Sequence, residues 1–156
     1  MIRANHNVEG TALRRKLGLS VPVIILLAAI AAIRVPIHDL GIAPEGSVVA
    51  RLLVFVPLAL WLTVALWRRV PNPFLTLVVT GFAYGVMLAV GHQLLWETAY
   101  DGSPPRLGGS LEGVLSPSLE AVIFRTSAFL SSIVTGTILG AVVGAVAWTI
   151  ERVRRA

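Results

Sequence analysis

The sequence contains no cysteine among its 156 residues. This absence excludes disulfide bonds, thiolate metal sites and cysteine nucleophiles. Charged residues are also scarce, at 13% of the chain, whereas hydrophobic residues make up 56%. Soluble domains contain roughly 45–50% apolar residues, and the core of a water-soluble domain does not absorb this excess. The composition therefore predicts an integral membrane protein.

Other absences narrow the function. No charged residue lies near the middle of a long apolar segment, although proton pumps and charge-coupled transporters usually hold a carboxylate at that depth. No glycine-rich phosphate loop follows a predicted strand, and neither a GxSxG nor an HExxH motif is present. We expect no cofactor and no bound metal, and we favour a non-catalytic protein over an enzyme.

Four segments are apolar enough to cross a bilayer, which takes about 20 residues of helix. In lipid the backbone must satisfy its own hydrogen bonds, so such runs form helices, and they lack the short alternation of barrel strands. The sequence thus predicts an all-α integral membrane protein, an antiparallel four-helix transmembrane bundle. The spans of this single membrane domain, residues 1–156, cover about 17–34, 48–68, 73–97 and 118–152.

The basic residues are concentrated at one set of helix ends. Positive side chains are biased towards the cytoplasmic side of a membrane, which predicts that both termini and the turn 69–72 are cytoplasmic and that loops 35–47 and 98–117 are outside. The net charge of +5 then faces the anionic inner leaflet, so no nucleic-acid partner is needed to explain it. The expected location is a bacterial cytoplasmic membrane. The inner basic residues are Arg3, Arg14, Arg15, Lys16, Arg68, Arg69, Arg152, Arg154 and Arg155.

Local signals predict where several helices begin and end. Ser47 and Asn72 precede apolar runs and are typical N-cap residues. Pro36 disfavours helix at Val35 and predicts that the first span ends there. Trp96, at the outer end of the third span, is predicted to join an interfacial aromatic belt, as are Trp67 and Trp148 at the inner side.

Small residues recur at intervals of four on the third and fourth spans. This spacing places them along one helix face, where a second helix can approach closely, as in a glycine zipper. The two faces either pack on each other within one chain or form an interface with a second copy or another membrane protein. The predicted packing residues are Gly81, Gly85, Ser132, Gly136, Gly140 and Gly144.

Polar and ionisable residues gather near the outer ends of all four spans. Three interpretations are open: an interfacial rim of ordinary ion pairs, a ligand site or pore mouth, and a catalytic or metal site that uses the histidines and acids. Arg125 either extends to the interface or meets an acid such as Glu97 or Asp39. The candidate cluster comprises Arg34, His38, Asp39, Arg51, His92, Gln93, Glu97, Glu120 and Arg125.

These features favour a small polytopic membrane protein that serves as an accessory or assembly subunit and packs through its glycine-lined helices. A small oligomeric channel or transporter for an ion or neutral solute is the second hypothesis, and a membrane enzyme with an outer-face site is the third. If the protein has a site, His92 and Gln93, facing Arg125, are its predicted centre.

Overall fold

The computed structural model describes residues 16–44 and 46–156, and within these residues it contains helices and no strands. Glu45 and the predicted inner residues Arg3, Arg14 and Arg15 lie outside this part of the chain. A short 3-10 turn, Gly109–Leu111, interrupts the longest loop. The helices are α1 (Val21–Ala32), α2 (Arg34–Asp39), α3 (Val48–Trp67), α4 (Pro73–Leu94), α5 (Trp96–Ala99) and α6 (Pro117–Arg155).

Four helical stretches are long and apolar enough to cross a membrane: Val21–Asp39, Val48–Trp67, Pro73–Leu94 and Pro117–Arg155. This confirms the predicted all-helical protein with four candidate spans. The last stretch has 39 residues, which at 1.5 Å per residue is about 58 Å of helix. Because a hydrocarbon layer is about 30 Å thick, α6 is long enough to extend beyond it.

The prediction that the first span ends at Val35 is wrong. Helix resumes at Arg34 and continues through Pro36 to Asp39. Pro36 is tolerated because it lies in the first turn of α2, where backbone N–H groups have no intrahelical carbonyl partner. The connection to α3 therefore begins after Asp39. As a result Arg34, His38 and Asp39 lie on a helix and not in a loop.

Side-chain caps fix the starts of α3 and α4, as predicted. The Ser47 hydroxyl accepts a hydrogen bond from the Ala50 N–H at 3.1 Å, and the Asn72 side-chain oxygen accepts one from the Leu75 N–H at 3.0 Å. Caps of this kind stabilise a helix by about 1 kcal/mol. They define the residues at which α3 and α4 begin.

The glycine faces of α4 and α6 lie against each other within one chain. A Cβ atom built on Gly136 would lie 2.5 Å from the Gly81 carbonyl oxygen and 2.5 Å from the Gly85 Cα, and one on Gly140 would overlap the Leu77 carbonyl oxygen. Gly144 meets Phe74 in the same way. Contacts this close gain dispersion energy that lipid does not supply. The paired residue numbers rise along α4 as they fall along α6.

Buried hydrogen bonds link α1 to α3 and the segment before α1 to α4. The Trp61 indole N–H donates to the Leu27 carbonyl at 2.9 Å, and the Thr76 hydroxyl donates to the Leu17 carbonyl at 2.6 Å. Trp61 also packs edge-on against Tyr84, with ring centroids 5.8 Å apart. Since these polar groups are buried and hydrogen-bonded, they link the elements without the cost of an unsatisfied donor.

The turn after α3 contains an unusual backbone conformation at Arg69, whose φ is +48°. The Val70 N–H donates to the Ala65 carbonyl at 3.1 Å and the Arg69 N–H to the Leu66 carbonyl at 3.2 Å. This paired pattern ends many helices, and its left-handed position is usually glycine. A residue with a Cβ adopts that conformation at a cost of about 1 kcal/mol.

Candidate functional site

The Asp39 carboxylate lies between two imidazole rings. Its Oδ1 is 3.1 Å from the Nδ1 of His38, and its Oδ2 is 2.8 Å from the Nδ1 of His92. Only 3% of the Asp39 side chain is exposed. Asp39 is the last residue of α2 and His92 lies in the last turn of α4. The extra turns of helix around Pro36 thus bring the acid to the third span.

The contact between Asp39 and His92 orients the imidazole. A carboxylate accepts hydrogen bonds and donates none, so the Nδ1 of His92 is the donor. In the neutral ring, Nε2 is then left as a hydrogen-bond acceptor and proton acceptor. One third of the His92 side chain is exposed. The pair therefore holds a directed acceptor at a position that a ligand can reach.

A cavity of about 430 Å³ lies beside this group, between α2, α4, α5 and α6. Its wall combines acceptor groups with an aromatic surface. Two of its hydroxyls, those of Ser131 and Ser132, donate to the Ala128 carbonyl at 3.1 and 2.7 Å. Their lone pairs are left as acceptors. The lining residues are His38, Asp39, His92, Trp96, Ala99, Tyr100, Ala128, Ser131 and Ser132.

A second polar group surrounds Arg125. Its guanidinium is 2.9 Å from the Glu97 carboxylate and lies 5.1 Å from the centre of the Trp96 ring. The Gln93 amide donates to the Arg125 carbonyl at 3.0 Å. The acid that Arg125 meets is therefore Glu97. Both charged side chains are substantially exposed, so the ion pair itself contributes at most about 1 kcal/mol.

Trp96 does not occupy the aromatic belt that the sequence predicts, because it is only 4% exposed. Helix α4 ends at Leu94, and the short helix α5 begins at Trp96. This break changes the direction of the indole, which packs against Tyr100 with ring centroids 4.8 Å apart. By contrast, Trp67 and Trp148 are 78% and 47% exposed, as expected for belt residues.

The remaining members of the predicted cluster lie elsewhere. The Arg34 side chain lies near the Tyr84 hydroxyl. Arg51 is exposed in the first turn of α3, and Glu120, in the first turn of α6, is buried. None of the three lines the cavity. The nine candidates thus separate into the Asp39 group, the Arg125 group and three residues outside both.

Sequence reasoning missed six residues of the cavity, three of which carry hydroxyl groups. Ser132 begins the four-residue row of small side chains, which predicts helix packing, and Tyr100 follows the third span, where an interfacial aromatic residue is expected. Ser131, next to Ser132, carried no separate signal. The spacing of Ser131 and Ser132 from Arg125 places them about two turns further along α6. That offset places them further into the span than Arg125, but the rotation of α6 about its axis decides which side chains line the cavity.

The described residues contain no group of three histidine, cysteine, aspartate or glutamate side chains arranged to hold a metal ion. The Nδ1 atoms of His38 and His92 both lie within hydrogen-bond distance of the Asp39 carboxylate. In this part of the chain, the Asp39 carboxylate orients the His92 imidazole beside the cavity. Comparisons of the chain with protein-family models, with curated proteins and with solved structures each found no match.

Proposed function

We propose that this chain is a ligand-binding protein of the bacterial cytoplasmic membrane, with antiparallel spans and both termini in the cytoplasm. The cavity beside Asp39 opens at the outer face and binds a small hydrogen-bond donor there. Basic residues at the opposite ends of α3 and α6, including Arg68 and Arg152, support this orientation through the positive-inside bias.

The observation that carries this proposal is the buried carboxylate of Asp39 in a cavity wall. Moving a carboxylate out of water costs several kcal/mol, and pairing offsets that cost only in part. An apolar side chain would close the end of a helical bundle at lower cost. An ionisable group placed inside a membrane protein is therefore a functional hypothesis by default.

The arrangement favours binding over covalent catalysis. An activated serine nucleophile donates its proton to a neighbouring base. Here Ser131 and Ser132 donate to the Ala128 carbonyl instead, so neither hydroxyl is presented to His92 as a nucleophile. The directed Nε2 of His92 serves to accept a hydrogen bond from the ligand.

The cavity chemistry favours a protonated amine. The wall supplies acceptors, namely the Asp39 carboxylate, His92 Nε2 and the serine oxygens, and Tyr100 adds an aromatic face that attracts cations. Glu97 and Arg125 balance each other's charge in the neighbouring group. The negative charge of Asp39 therefore dominates the wall of the cavity.

The two other hypotheses from the sequence have less support. An assembly subunit that binds partners through glycine would need an exposed glycine face, whereas Gly81 and Gly136 contact each other within the chain. A pore through one chain would have to pass the buried side chains of Trp61 and Tyr84. Oligomerisation stays a prediction, and its interface would lie on helix surfaces other than the paired glycine faces of α4 and α6.

Asp39→Asn is expected to weaken amine binding at least tenfold, because it removes the negative charge from the cavity wall. The measurement is calorimetric titration of the detergent-purified chain with ethanolamine, putrescine and tyramine, with ethylene glycol as a neutral comparison. Glu112→Gln removes a carboxylate from the exposed loop before α6 and is expected to leave binding unchanged. Absence of binding by the unaltered chain, or equal binding by Asp39→Asn, would contradict the proposal.

A further inference from the structure

A second cavity, of about 660 Å³, lies at the basic ends of α3 and α6. Two arginines and no acid line it, so its positive charge is not neutralised within the wall. A neighbouring cavity beside Trp148 differs, since its Arg155 is 3.3 Å from Glu151. The residues lining the larger cavity are Thr63, Leu66, Trp67, Arg69 and Arg154.

The backbone conformation of Arg69 favours a functional role for its side chain. Arg69 occupies the left-handed position of the turn after α3, with φ of +48°. Glycine is the usual residue at that position because it has no Cβ. An arginine placed there is less favourable for the turn, yet Arg69 lines the cavity. A strained backbone conformation that the surrounding structure maintains is a reason to look for a functional role.

We propose that this cavity binds the headgroup of an anionic phospholipid. Arginine guanidinium groups donate paired hydrogen bonds to phosphate oxygens, and two arginines are available here, Arg69 from the turn after α3 and Arg154 from α6. The lipid, rather than a soluble phosphate, is indicated by the apolar surroundings. Trp67 is 78% exposed beside the arginines, and Phe55 and Val56 of the same helix are 67% and 57% exposed, which provides a surface for acyl chains.

The headgroup chemistry points to phosphatidylglycerol. The wall contains two arginines and no acid. The phosphate of phosphatidylglycerol is attached to a neutral glycerol and not to an ammonium group, which the two arginines would repel. This site is at the other end of the helices from Asp39 and does not depend on the proposed amine site.

The test is native mass spectrometry of the full chain in mild detergent with equal amounts of phosphatidylglycerol and phosphatidylcholine. The unaltered chain is expected to retain phosphatidylglycerol with a preference on the order of fivefold, the effect of about one arginine at an anionic surface. Arg69→Gly and Arg154→Gln are each expected to remove most of that preference. The control, Arg106→Gln, removes an arginine from the loop before α6 and is expected to preserve it.

Arg69→Gly has a second readout that distinguishes loss of a site from loss of the fold. In phosphatidylcholine alone, its unfolding midpoint is expected to stay level or rise by about 2–4 °C, since glycine fits the left-handed turn. Equal retention of both lipids by the unaltered chain, or undiminished preference in both variants, would overturn the proposal. So would equally tight binding of soluble glycerol phosphate, because that would identify a phosphate site without a lipid. A lower midpoint for Arg69→Gly would overturn the argument from strain.

Discussion

Gly140→Ala is expected to destabilise the protein by about 3 kcal/mol, the upper part of the range for overpacking a core. The added methyl group would overlap the Leu77 carbonyl oxygen and come within 2.9 Å of the Gly81 Cα. These are backbone atoms, so relief requires α4 and α6 to separate. Thermal unfolding in mild detergent should show a midpoint lowered by about 6–12 °C.

The sign of this effect is diagnostic, because replacing glycine by alanine within a helix normally stabilises it by up to about 1 kcal/mol. Gly108→Ala is the matched control. Gly108 lies in the loop before α6 with φ of −120°, and no atom would lie within 4 Å of its added Cβ. The control is expected to unfold like the unaltered chain. A Gly140→Ala variant as stable as the control would show that α4 and α6 do not pack through their glycines.

His92→Leu is expected to cost about 3 kcal/mol, because it leaves a buried carboxylate oxygen without its hydrogen-bond donor. The substitution removes the donor 2.8 Å from the Oδ2 of Asp39, whose side chain is 3% exposed. The carboxylate then loses its shorter hydrogen bond while it stays buried. The change is measured as the free energy of unfolding in mixed detergent micelles.

The partner substitution separates this effect from loss of packing. Once Asp39→Leu has removed the carboxylate, His92→Leu no longer strands a buried charge and should cost much less. The double variant is therefore expected to be more stable than the sum of the single effects predicts, by about 1–3 kcal/mol. Additive effects would mean that Asp39 and His92 do not interact in the folded protein.

The sequence was sufficient to predict the membrane helices and their caps. Long apolar runs have one stable backbone conformation in lipid, so the composition alone indicates α3, α4 and α6. Ser47 and Asn72 mark helix starts through local chemistry that does not depend on distant residues. The four-residue spacing of Gly136 and Gly140 likewise predicted a face for close packing, although it left the partner of that face open.

The site could be predicted only in part because depth in a membrane does not fix rotation about a helix axis. The nine polar candidates share one end of the spans, yet Arg34 lies near Tyr84 while Asp39 is hydrogen-bonded to His92. Asp39 reaches His92 because the chain around Pro36 is helical. The loop expected there would not have held Asp39 in this position. The break after Leu94, which turns Trp96 inward, was equally hidden, since no proline or glycine marks it.

Cysteine labelling tests the central claim, an amine site open to the outer face, and it needs no background substitutions because the chain has no cysteine. Ser131→Cys places a thiol in the cavity wall, while Gly108→Cys and Ala156→Cys mark the loop and the chain end that the proposal places outside and inside. In intact cells a membrane-impermeant maleimide is expected to label Ser131→Cys and Gly108→Cys, and the bound amine should slow labelling of Ser131→Cys alone. Labelling of Ser131→Cys only after permeabilisation, together with Ala156→Cys, would contradict an outward-facing site.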